Sequence, residues 1–119
     1  MNRYSYKNLN VYQEAKMFVV AVYKLLDSFP DTEKFALCNQ IRRAAISVTS
    51  NIAEGVSRTS NKEKIHFLEI AYASMMEVDS QLDVSIELGY ITIEQYELIN
   101  KQINNIGRQL SVLDRKSVV

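Results

Sequence analysis

TIEQYELINKQINNIGRQLSVL, residues 92–113, is the stretch that decides the fold. Tyr96, Ile99, Ile103, Ile106, Leu110 and Leu113 recur at alternating steps of three and four. That is the period of a helix with one buried seam, close to a coiled-coil repeat. Thr92 and Gln95 stand in front of it in a capping-box pattern, so the spacing predicts a helix from about residue 93 to 114. Gly107 lies inside this helix at a cost of about 1 kcal/mol relative to alanine. Close approach of a neighbouring helix is the expected reason.

Upstream, the same period returns three times. Ser60 and Glu63 form a second capping-box pattern. The helix they open is expected over about 61–88, with Leu68, Ala71, Met75, Val78, Leu82 and Ile86 as its seam and Gly89 ending it. A second helix is expected over about 32–54, lined by Leu37, Ile41, Ala44, Ala45, Val48 and Ile52, with Gly55 as a left-handed cap. Its segment Ile46–Ile52 is rich in β-branched and Ser/Thr/Asn residues, so a short strand competes there. A first helix is expected over about 10–28, with Val11, Ala15, Phe18, Val19, Val22, Leu25, Leu26 and Phe29 on its buried face, stopped by Pro30. Short connections make neighbouring helices antiparallel. The expected fold is all-α, a single-domain up-down-up-down four-helix bundle over residues 1–119.

Composition agrees. The 119 residues hold only 3 Gly and 1 Pro, far too few for the turns of a strand-rich fold, and 47% are hydrophobic. Cys38 is the single cysteine, so no intrachain disulfide forms, as expected in a reducing compartment. Met1 to Asn10 is polar and aromatic, and the apolar run Met17–Tyr23 is closed by Lys16 and Lys24, too short to cross a bilayer. A cytoplasmic protein without a membrane partner is expected.

Formal net charge is zero but unevenly spread. Residues 1–64 carry ten Lys/Arg against six Asp/Glu. Residues 65–100 carry seven acids (Glu69, Glu77, Asp79, Asp83, Glu87, Glu94 and Glu97) and no base. Either these are solvated faces, or an acidic surface of one copy meets a basic surface of another. The apolar stripes are also wider than one core needs. Val20 and Tyr23 on the first helix, and Phe67, Ile70, Tyr72 and Met76 on the third, lie beyond the main seams, and contiguous exposed apolar surface marks an interface.

Catalytic chemistry finds little to work with. A di-iron bundle needs two Glu-x-x-His motifs, and Glu63–His66 supplies one, using the only histidine. No glycine-rich phosphate loop is present. Cys38 reads as a buried inert thiol. The expectation is a protein that is not an enzyme and holds no metal or cofactor. Arg42 and Arg43 point about 100° apart on a helix, so one is expected at the edge of the core or at an interface, paired with a carboxylate from Glu54, Glu69, Glu77 or Asp79; a phosphate contact is the alternative. Nucleic acid has two possible footprints, Arg3-Tyr4-Ser5-Tyr6-Lys7 and the cluster Arg58, Lys62, Lys64.

Gln40-Ile41-Arg42-Arg43-Ala44-Ala45-Ile46-Ser47-Val48 followed by Ser50-Asn51-Ile52-Ala53-Glu54-Gly55 resembles the signature of the 23S rRNA intervening-sequence proteins. Leu9–Ala15, Phe67–Ala71 and Leu88–Ile91 look like other segments of that family, with Thr49 where the family often has proline. The resemblance makes Asn51, Glu54 and Gly55 signature residues. It implies a four-helix subunit that assembles into a homopentameric ring, in a family named for reading frames inside rRNA intervening sequences. A related branch assists diversity-generating retroelements by binding nucleic acid and a reverse transcriptase. Three functions follow as expectations: a non-catalytic homo-oligomeric scaffold; an RNA- or ribosome-associated module using Arg42, Arg43, Arg58, Lys62 and Lys64; and an enzyme with its site between subunits.

Overall fold

Helix α1 spans Asn10–Leu26, α2 Leu37–Val56, α3 Asn61–Glu87 and α4 Ile93–Val118 in the computed structural model, which describes residues 5–118 and side chains as far as Arg115. Arg3 and Tyr4 of the N-terminal basic-aromatic segment therefore lie outside the described residues. A 3-10 turn at Ser5–Asn8 precedes α1 and another at Asp31–Glu33 precedes α2; no strand occurs among the described residues. The segment Ile46–Ile52 is helical throughout. Packing of Val48 and Ile52, both fully buried, overrides the weak local propensity.

Polar contacts fix the directions. Glu14 of α1 accepts from Asn105 (2.6 Å) and from Gln109 of α4, and Asn10 Nδ2 donates to Gln109 Oε1 (3.3 Å). As α1 rises, α4 therefore descends. Ser47 of α2 meets Ser74 of α3 at 2.9 Å, while Gly55, eight residues on, packs against Phe67. Tyr96 and Asn100 of α4 bond Asp79 of α3, while Gly107 faces Tyr72. Successive helices are antiparallel. α1 packs on α2 and α4, and α3 on the same two, so α1 and α3 occupy opposite corners of a bundle 45 × 22 × 21 Å.

The core follows the predicted seams with some corrections. Phe18, Val22, Ile41, Val48, Ile52, Met75, Leu82 and Ile106 are fully enclosed. On α3 the seam ends at Ser85 and not at Ile86, which is only half-buried. Ser85 enters the core because its hydroxyl is satisfied by its own helix, donating to the Gln81 carbonyl at 2.7 Å. Leu25 and Leu37 are likewise half-buried, not core.

The helix ends differ most. The second helix was expected from residue 32 and begins at Leu37. Ala36 leaves the helical region (φ −118°, ψ −100°), and the Glu33 carboxylate is held by the Tyr90 hydroxyl at 2.8 Å. That tie draws the loop over buried Phe29, whose ring lies 5.3 Å from that of Tyr90. Gly55 is not a left-handed cap: α2 runs through it to Val56, and among the described residues only Gly89 has positive φ (77°). Gly89 closes α3 with the Tyr90 amide reaching the Ser85 carbonyl (3.0 Å) and its own reaching Ile86 (2.9 Å), a Schellman cap. The Thr92–Gln95 box forms in both directions, at 2.9 and 3.1 Å. In the Ser60–Glu63 pair only the Glu63 amide bonds back to Ser60 (3.3 Å), because the Glu63 carboxylate turns to Arg58. α4 continues past residue 114, to Val118.

Candidate functional site

The five basic residues expected to act together do not come together. Arg42 and Arg43 lie near the start of α2, whereas Arg58, Lys62 and Lys64 surround the α2–α3 turn at its far end. The helix from Arg42 to Val56 alone spans roughly 21 Å at 1.5 Å per residue. The Arg42 guanidinium donates to the Lys34 carbonyl (3.1 Å) in the preceding loop and not to a carboxylate. Asp79, one of the expected partners, is bonded instead by Tyr96 (2.7 Å) and Asn100 (3.1 Å). Arg43 is exposed.

The signature residues all serve the α2–α3 junction. Asn51 donates back to the Ser47 carbonyl (2.8 Å) and hydroxyl (2.9 Å), orienting the Ser47–Ser74 contact between helices. Glu54 pairs with Arg58 at 2.7 Å. The same guanidinium lies 3.7 Å from Glu63 and 4.8 Å from the centre of the Phe67 ring. Gly55 lets α3 approach. Arg58 is thus engaged by two acids and an aromatic face, while Lys62 is exposed and Lys64 half-buried beside it.

No group of three or more His, Cys, Asp or Glu that could hold a metal occurs among the described residues. His66 is exposed, edge-on to Phe67. Cys38 is buried, and burial pushes its thiol above the ordinary range, with the Arg42 charge only partly opposing. A thiol held protonated is a poor nucleophile. None of the described helices is long and apolar enough to cross a membrane.

Exposed apolar surface is what remains. Met17 (62% exposed) and Val20 (48%) stand out from α1, and Tyr72 (46%) and Met76 (36%) from α3. Tyr23 is also exposed, while Phe67 and Ile70 are half-buried. Met17, Val20 and Ala21 line an apolar groove of about 460 Å³ that reaches Gln102 of α4 and is flanked by Lys16 and Lys24. Phe35, in the loop before α2, is 86% exposed. It was not foreseen, because the expected helix ran through it.

Comparison with known proteins agrees with this fold and places it in a family. The family model of the 23S rRNA-intervening sequence proteins matches residues 7–112. A crystal structure of a protein with unknown function, from the S23 ribosomal protein family of Bacteroides thetaiotaomicron, superposes with a TM-score of 0.77 at 31% identity. It covers 87% of this chain and 97% of its own. No curated protein matches the chain. With the family match running over nearly its whole length, the chain belongs to the 23S rRNA-intervening sequence protein family.

Proposed function

We propose that this protein is a non-catalytic scaffold that works by associating with copies of itself, in the cytoplasm. One observation carries the proposal: after four helices have closed around a complete core, Met17, Val20, Tyr23, Tyr72 and Met76 still face outward. Leaving rows of large apolar side chains in water is costly, about 25 cal/mol per Å², and a second copy removes that cost. The buried, protonated thiol of Cys38 supports the non-catalytic part. The pentameric ring implied by the family resemblance is the specific form proposed. Native mass spectrometry at micromolar concentration tests it: species at five times the 13.7 kDa chain mass are expected, and a monomer alone refutes self-association.

RNA binding has less support, since its five candidate residues fall into two groups at opposite ends of α2 and Arg58 is already paired. A salt-dependent mobility shift of labelled RNA is its discriminator, and no shift at low salt eliminates it.

A further inference from the structure

Helix α4 carries its unpaired cations on one line. Lys101, Arg108 and Arg115 follow at intervals of seven, and each such interval shifts the direction by only about 20°. The buried positions of the same helix, Ile99, Ile103, Ile106 and Leu110, lie on the side away from them. All three bases are exposed, and residues 98–113 hold no acid. The line runs for roughly 21 Å at 1.5 Å per residue. None of the three makes an ion pair, hydrogen bond or ring contact among the described residues, although Glu94 and Glu97 stand in the turns before Lys101. Asp114, beside Arg115, is half-buried and feels the charge of Glu69 on α3.

An apolar groove of about 390 Å³ runs beside this line, between α4 and the start of α1. Leu9 and Val11 line it from one side, Val112 and Leu113 from the other, and Arg108 is its only charged lining residue. Glu14, which α1 turns toward α4, is already held by Asn105 and Gln109. The groove uses none of the outward side chains to which self-association is ascribed above.

We infer that this face binds an acidic amphipathic helix of a different protein, its apolar side in the Leu9–Val112 groove and its carboxylates against Lys101, Arg108 and Arg115. Two turns of a facing helix return its side chains to the same side at the interval at which the cations stand. Glu or Asp at every seventh residue therefore meets all three. An apolar residue beside each acid gives the helix-in-groove mode of recognition. Charge selects the occupant: the groove holds no acid and is edged by cations that nothing in the subunit neutralises. RNA would engage the cations and leave the groove empty, because its phosphates are close-set, carry no apolar side and do not repeat at the helical interval. The site is complete within one subunit and does not depend on assembly of copies.

The probe that tests it is a synthetic helical peptide of about three heptads, with Glu at every seventh position, Leu four residues after each Glu, and Ala and Gln elsewhere. Its twin carries Lys in place of Glu. Fluorescence anisotropy with the full chain is expected to show saturable binding of the Glu peptide, one per chain, and none of the Lys peptide. Arg108→Glu is expected to weaken the Glu peptide about tenfold, the scale of one lost charge-assisted contact. Val112→Lys separates seating from charge: it adds a cation but spoils the groove, so the Glu peptide is expected to bind more weakly, whereas attraction by charge alone would tighten it. Both positions are exposed, and circular dichroism checks that each variant stays helical. No binding of the Glu peptide, equal binding of the Lys peptide, or undiminished binding to either variant overturns the inference. So does labelled RNA that displaces the peptide and is itself lost with Arg108→Glu, which makes the line a nucleic-acid face. Native mass spectrometry is expected to show peptide added to each species without a change in its number of chains. Dissociation of an assembly by the peptide overturns the inference, because the groove is then a contact between copies.

Discussion

Gly55 lies so close to Phe67 that a methyl group at position 55 would stand 3.1 Å from the Phe67 Cβ. It would also stand 3.3 Å from the Leu68 Cδ2 and from the Lys64 carbonyl oxygen. Two of these three atoms are fixed to the α3 backbone and cannot swing aside. Gly55→Ala therefore forces α3 away from α2. Overpacking typically costs about 1–3 kcal/mol. The helix-propensity gain of alanine is small in a last turn, so a net loss of about 1 kcal/mol is expected. Thermal unfolding should show a Tm roughly 4 °C lower; an unchanged or higher Tm contradicts so tight a junction.

Gly107 gives the opposite sign. A methyl group there would meet Tyr72 Cε2 at 3.5 Å and Met75 Cε at 4.0 Å, ordinary contact distances with flexible side-chain ends. Close approach was the expected reason for this glycine, and the space does not require it. Gly107→Ala should stabilise by about 1 kcal/mol through helix propensity. Denaturant unfolding would show a higher midpoint at unchanged slope.

These two glycines show where the sequence was legible. The seams of α1 and α4 could be read because periodicity is local: Phe18, Val22, Ile99, Ile103 and Ile106 are buried where their spacing put them. Gly55 was misread because what it accommodates, Phe67, lies across a turn on another helix. The start of α2 was misread because Asp31-Thr32-Glu33 is good helix-opening sequence. The contact that holds the loop, Tyr90 to Glu33, joins residues 57 apart. The outward rows at Val20, Tyr72 and Met76 were visible as surplus beyond each stripe. The basic residues were grouped from their neighbourhood in sequence, but helix length carries Arg42 and Arg43 away from Arg58.

Tyr96 ties α4 to α3 by donating to Asp79, with Asn100 bonding both. Burial and that carboxylate push the phenol up to about 12. An unfolded tyrosine titrates near about 10. The folded state thus keeps the proton longer than the unfolded state. The resulting stability is complete below about pH 10 and is lost as pH rises toward about 12. Tyr96→Phe should cost about 1–2 kcal/mol at pH 8, from the hydrogen bond and the abandoned Asp79. The gap to wild type should narrow by pH 11.5. Urea unfolding at the two pH values measures it, and a gap constant with pH rules out the linkage.

Asp114 is where a single atom can be improved. Its Oδ1 is buried without a hydrogen-bond partner, and burial, then the Glu69 charge, raises its carboxyl above the usual range. A carboxyl raised in the folded state favours folding only while protonated. That contribution is present below the ordinary aspartate range and is lost as pH rises through the raised value, leaving an ionised group that opposes folding at neutral pH. Asp114→Asn removes the charge, keeps the shape and relieves Glu69. It should stabilise the protein at pH 7, by on the order of 1 kcal/mol for a poorly satisfied buried polar atom. The advantage should shrink near pH 3, where wild-type Asp114 is neutral as well. Glu69→Gln should give a smaller gain at pH 7, since it removes only the second cause. If Asp114→Asn lowers stability at pH 7, the carboxylate has a cationic partner in solution that outweighs its burial and the Glu69 charge.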